Sequence, residues 1–246
     1  MPQHLHLDPF SGIAGDMFLG ALVDLGANPQ TIQETLAPLD LSPSWQITTH
    51  RVMRHSIGAV DLKVKLGPSP TAHHHHHVGH STIMAMIDRL ELSDRAQQRA
   101  RRVVTLLGEA EARVHQKPLD AIHFHEVGAV DSIVDLLGSV IALEQLDIDT
   151  LSCGTLPISS GFVRCAHGMM PIPAPATAYL LEGLPCVGVD RKGELITPTG
   201  AALVRGLCET FGPPPALTLS RVGYGAGDRE DPQIPNLLRV LHGVRS

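Results

Sequence analysis

The sequence predicts an α/β fold: a mixed sheet with flanking helices, and a flexible His-rich loop inserted at about residues 67–80. Three observations carry that reading. Short segments with alternating apolar residues, the period of a strand, recur from residue 4 to residue 243. Longer segments whose apolar residues return every three or four positions, the period of a helix, lie between them. The two kinds interleave along the chain, which favours one layered unit of strands and helices.

The elements follow in order. Residues 4–8, HLHLD, alternate and read as a strand, which runs through Pro9 and Gly12 into a helix from Ile13 to Leu25, stopped by Gly26. WQITTHRV and AVDLKVKL, within residues 45–66, read as a hairpin or strand pair. GPSPTAHHHHHVGH, residues 67–80, has a loop's composition. Ser81 is placed to cap a helix through about Leu90, and Asp94 to His115 reads as a longer helix with Val103, Val104, Leu107 and Ala110 on one side. IHFHEV, residues 122–127, is extended, and Ala129 to Leu146 is helical. Beyond it, brief strands and helices near 175–182 and 200–210 lead to a closing strand, NLLRVLHG. The expectation is one domain spanning 1–246, its parts 1–66 and 81–246 joined by the His-rich loop.

Composition excludes several function classes. The net charge of −6 argues against a broad nucleic-acid surface, and 3% aromatics argue against a base-stacking platform. Neither 127–143, which carries Asp131 and Asp135, nor the proline-broken 165–181 reads as a membrane span. The start MPQHLHLDPF lacks a basic region followed by an apolar core, and Cys153, Cys165, Cys186 and Cys208 form no CxxC pair. A reduced, cytoplasmic protein is the expectation. The unusual number is 15 histidines.

Six constellations carry candidate chemistry. His73, His74, His75, His76 and His77, with His80 three residues on, offer interchangeable imidazoles that suit metal capture more than a rigid centre. HFHEVGAVDSIVD, residues 123–135, sets His123, His125 and Glu126 before a helix that carries Asp131 and Asp135 on one face, a set suited to a divalent metal or to acid–base work. In DPFSGIAGDM, Asp8 ends a strand, and Ser11, Gly12, Gly15 and Asp16 open a helix whose N–H groups suit an anion. In TPTGAALV, Thr197 or Thr199 caps a helix starting near Gly200. In the glycine-rich tail 221–236, Arg229 is a candidate clamp for phosphate or carboxylate. Cys165 and His167, two apart, are a weaker metal pair. No GxSxG and no HExxH is present, so neither familiar hydrolase pattern is supported.

Together these residues resemble a known family. LDPFSGIAGDMFLGALVDLG, IHFHEVGAVDSIVD, SSGFVRCAHGMMPIPAPAT, GELITPTGAAL and the tail GYGAGDRE followed by PNLLRV are similar, in that order, to the LarC family of nickel-insertion proteins, from about residue 5 to 241. The internal histidine run sits where that family carries one. The resemblance implies a cyclometallase, or nickel chelatase, of the lyase class. It would insert Ni(II) into pyridinium-3,5-bisthiocarboxylic acid mononucleotide, making the nickel-pincer cofactor of lactate racemase. It also implies CTP and Mg(II) or Mn(II) as co-reactants, a homo-oligomer and contact with the racemase apoprotein. Family members are longer, so the resemblance covers their N-terminal, nickel-handling portion. The C-terminal CTP-binding portion is absent here, which puts turnover by this chain alone in question. Within that reading Glu126, His125 and Asp131 are the candidate catalytic residues. His73–His77, His80, His123, His125 and Glu126 are the candidate metal ligands. Asp8, Ser11, Gly12, Gly15, Asp16, Thr197, Thr199, Gly200 and Arg229 are the candidate substrate contacts. Two alternatives stand beside it: a non-catalytic nickel carrier or store, and a zinc or manganese hydrolase built on the histidine–carboxylate cluster.

Overall fold

The computed structural model describes residues 2–68, 78–124, 130–165 and 168–245. Its strands are β1 (Gln3–Asp8), β2 (Trp45–Arg54), β3 (Ile57–Leu66), β4 (Val78–Gly79), β5 (His123–Phe124), β6 (Thr150–Cys153), β7 (Leu156–Ser160), β8 (Phe162–Cys165), β9 (Gly168–Pro171), β10 (Cys186–Lys192), β11 (Thr210–Phe211), β12 (Leu217–Ala226) and β13 (Leu237–Arg245). Its helices are α1 (Gly15–Leu25), α2 (Pro29–Leu36), α3 (His80–Asp88), α4 (Asp94–His115), α5 (Val130–Gln145), α6 (Pro175–Leu180) and α7 (Pro198–Leu207).

Seven strands form one mixed sheet in the order β11-β6-β1-β13-β12-β3-β2. β11, β6 and β1 are mutually parallel, β13 is antiparallel to β1 and β12, and β12 is parallel to β3. Five strands therefore run one way, and their carboxyl ends share one edge. The α/β class with a mixed sheet and flanking helices is the observed one. α1 packs on β12, β3 and β13 and also meets α5 and α7. The core between helices and sheet includes Phe18 and Leu22 of α1, Val134 and Leu137 of α5, and Leu5 and Leu7 of β1, each at most 1% exposed. Burying one such side chain contributes about 1.5–3 kcal/mol. Alternation along β1 sends Leu5 and Leu7 to that core and His4, His6 and Asp8 to the other face.

Local sequence accounts for the element ends. Ser93 accepts the Ala96 N–H at 3.2 Å, which starts α4 at the expected Asp94. Gly26, at φ 118°, closes α1. The hairpin is β2 against β3, in register from Trp45↔Leu66 to Arg54↔Ile57. Three details differ from expectation. α3 begins at His80, with Gly79 as a cap that makes no side-chain bond, so Ser81 lies inside the first turn. Val78 and Gly79, expected in the loop, form a ladder with Phe124 and His123. α2 was not anticipated, although Asn28 accepts the Gln30 N–H at 2.9 Å and Pro29 holds the first helical position, a readable start. Residues 69–77 of the His-rich loop lie outside the described residues.

Candidate functional site

The candidate residues collect at the carboxyl edge of the sheet, where open α/β sheets bind ligands. β1 delivers Asp8 to that edge, and the chain turns through 9–14 into α1. Three backbone contacts fix the turn. Gly12 N–H donates to Pro9 at 2.9 Å, Ile13 N–H to Leu195 at 2.8 Å, and Thr197 N–H to Ile13 at 3.1 Å. Gly12, at φ 104°, passes so close to the Leu195 carbonyl that a Cβ would lie 1.9 Å from its oxygen. The same contacts bring the start of α7 beside the start of α1. There Thr197 is the cap, accepting the Gly200 N–H at 3.1 Å, and Thr199 meets the Thr197 hydroxyl at 2.9 Å.

Guanidinium groups flank this turn. Both Nε and Nη2 of Arg239 donate to Asp8 Oδ2, at 2.8 and 2.5 Å. Arg191 Nη2 donates to Ser11 Oγ at 2.9 Å and to Asp231 Oδ2 at 2.9 Å. Arg229 Nη1 reaches the Lys192 carbonyl at 3.1 Å and Asp231 at 3.4 Å. The Gln233 N–H and Arg191 hold Asp231 far below the usual carboxylate range. Arg191 Nη1 and Arg229 Nη2 are buried with no hydrogen-bond partner among the described residues. Buried unpaired donors of this kind are costly, and an anion would satisfy them.

On the other side of α1 lies an acidic group around one lysine. Lys63 Nζ is 2.6 Å from Asp228, 3.0 Å from Asp61 and 3.4 Å from Asp16. Burial opposes its charge, yet the bonds to Asp228 and Asp61 raise its pKa. Asp135, from α5, packs against the first turn of α1, so closely that a Cβ on Gly15 would lie 2.7 Å from its Oδ2. It accepts the Asp16 N–H, while its Oδ1 is buried with no hydrogen-bond partner among the described residues. Burial first, then the charges of Asp16 and Asp131, push the Asp135 pKa well up; burial also raises that of Asp16. Asp131 is exposed in the first turn of α5 and accepts the Ser132 N–H at 2.8 Å.

A cavity of ≈ 380 Å³ lies beyond the ends of β1, β6 and β11, lined by His6, Asp8, Gly154, Thr155 and Arg239 among others. His6 Nδ1 and His4 Nε2 both bond the Ser152 hydroxyl at 2.8 Å, and His4 Nδ1 meets Thr150 Oγ1 at 2.7 Å. Burial, with Arg245 nearby, lowers the His4 pKa to about 4.

The structure thus brings Asp8, Ser11, Gly12, Gly15, Asp16, Asp131, Thr197, Thr199, Gly200 and Arg229 to one edge. His73–His77, His125 and Glu126 lie outside the described residues, as do the side chain of His123 and the Cys165–His167 pair. His80 is turned onto α4, its Nε2 3.4 Å from Thr105 Oγ1, and burial lowers its pKa. Among the described residues no group of three or more His, Cys, Asp or Glu side chains is arranged to hold a metal. Sequence reading missed His6, Lys63, Arg191, Asp231 and Arg239. His6 alone had a signal, since HLHLD places it on the face of Asp8.

The sequence model of the nickel insertion protein family matches residues 5–246, and the chain belongs to that family. Several relatives carry the fuller name pyridinium-3,5-bisthiocarboxylic acid mononucleotide nickel insertion protein. That of Staphylococcus epidermidis (strain ATCC 12228) is 45% identical over 241 residues, covering 98% of this chain and 59% of the relative. That of Geobacillus kaustophilus is 44% identical over 244 residues, covering 97% of this chain and 59% of the relative. The chain spans about three-fifths of the length of these curated relatives. No solved structure matches. No helix among the described residues is long and apolar enough to cross a membrane.

Proposed function

We propose that this chain binds Ni²⁺ and takes part in inserting it into pyridinium-3,5-bisthiocarboxylic acid mononucleotide, the substrate in the relatives' names. The reading goes on to the nickel-pincer cofactor of lactate racemase as product, with CTP and Mg²⁺ or Mn²⁺ used by the longer protein as a nickel chelatase. It includes a cytoplasmic homo-oligomer that hands its product to the racemase apoprotein.

One observation carries the proposal. The register Val78↔Phe124 pairs the residue after the histidine run with the residue before His125. The described residues resume at Val130, one residue before Asp131 and close to the Asp16–Asp135 contact. Residues flanking both stretches rich in metal-binding side chains are thus held by one ladder. Histidines 73–77 and His80 capture nickel as cargo, and His123, His125 and Glu126, with Asp131, receive it. The substrate's phosphate and thiocarboxylates suit the unsatisfied donors of Arg191 and Arg229 and the helix starts at Ser11–Gly15 and Thr197–Gly200. Forming the carbon–nickel bond requires breaking a ring C–H bond. Carbon keeps the electron pair for nickel, and Glu126 or His125 takes the proton.

Nickel calorimetry on the intact chain, on a chain lacking 69–77, and on His123→Ala/His125→Ala tests this. We expect one stoichiometric site to survive the deletion and to vanish in the double variant. If deletion of 69–77 removes all binding, the chain is a nickel carrier and the insertion reading is wrong.

A further inference from the structure

A cavity of ≈ 950 Å³ lies at the opposite edge of the sheet from the candidate site. It is framed by α4 and α7, where β6 and β11 begin. Its cationic lining is Arg95, Arg99 and Arg102 from α4, with Arg205 from α7. The three on α4 are spaced by four and three residues, so one helix face presents all of them. Leu106, Leu184 and Phe211 contribute apolar surface.

Asp149, Glu182 and Glu209 also line the cavity. Glu182 is engaged from outside the lining by Arg113, at 2.6 Å. Asp149 takes Arg95 at 2.6 Å. Arg99 spends its hydrogen bonds on backbone, donating to the carbonyls of Ile148 at 2.9 Å and Asp149 at 2.6 Å. Arg205 likewise donates to the carbonyls of Leu180 and Glu182, at 3.1 and 2.7 Å. Carbonyl bonds orient these two guanidiniums without neutralising them. Arg102 has no hydrogen-bond or ion-pair partner among the described residues. Burial first, then the neighbouring Arg95, disfavours the charge on Arg99, while Glu209 and Asp149 favour it. Four arginines thus face three carboxylates, one of which, Glu182, is engaged by Arg113 from outside the lining, so a positive excess remains beside an apolar wall.

We infer that this groove is a binding site for a small phosphorylated organic molecule. Guanidinium forks match a phosphate's oxygens, while Phe211 and the leucines match an uncharged ring or sugar. The volume lies within the roughly 300–1,000 Å³ of small-molecule sites. A flat protein-docking surface would not need such a concavity.

The test is calorimetry on the full chain in a phosphate-free, low-salt buffer. The probes are inorganic phosphate, uridine 5′-monophosphate and a hexaglutamate peptide. The variant is Arg102→Glu, which breaks no contact described here and so leaves the thermal melt and nickel binding unchanged. We expect uridine 5′-monophosphate to bind more tightly than inorganic phosphate, and Arg102→Glu to weaken it at least tenfold. Equal binding of the two phosphates, equal binding by the variant, no binding at all, or tighter binding of the peptide would each overturn the inference. Nickel binding reports on the carboxyl edge separately, so failure here is distinguishable from failure of the proposed function.

Discussion

Asp135 and Gly15 illustrate how one residue dictates another. The carboxyl group occupies the space a side chain at position 15 would need, so the helix start and the acid come as a pair. The folded state favours the protonated form of Asp135, because its pKa is raised by burial and by Asp16 and Asp131. Stability linked to it is therefore full below the ordinary value of 3.8 and is lost as pH rises through the folded value. Asp16 contributes with the same sign. Asp135→Asn should flatten, without abolishing, the fall in melting temperature as pH rises above the ordinary carboxylate value of 3.8. An unchanged slope would show that Asp135 titrates normally. Gly12→Ala meets both a positive φ and a carbonyl oxygen, and should cost about 3 kcal/mol or more in denaturant unfolding. A loss under about 1 kcal/mol would mean the turn relaxes easily.

At the scale of elements, legibility tracked how local the cause was. α4 was readable to the residue because Ser93 caps it and its apolar face repeats over 22 residues. Replacing Ser93 by Ala should cost about 1 kcal/mol, seen as a lower denaturant midpoint with unchanged slope. No measurable change would show that the cap bond to Ala96 contributes nothing. β2 and β3 were readable from alternation, which sets a hairpin's register. β6, β11 and β12 were not placed, since short strands gain their stability from neighbours distant in sequence. β4 and β5, two residues each, exist only because each pairs with the other.

Across the whole molecule, the order of strands brings together what the sequence keeps apart. Arg239 reaches Asp8 across 231 positions, and Arg191 reaches Ser11 across 180. Such pairings leave no trace in spacing or periodicity, so Arg191, Asp231 and Arg239 could not be found beforehand. Asp8 through Asp16 and Thr197 through Gly200 could be singled out because glycines mark the first stretch and Thr197 caps the helix in the second. The two ends of the sheet differ, one gathering carboxylates and guanidiniums with unsatisfied donors, the other the arginine groove.

The ladder between Val78 and Phe124 also couples two stretches far apart in sequence. It ties the residue that follows the histidine run to the one that precedes His125. A substitution that breaks either side of the pair is therefore felt at both flanks at once.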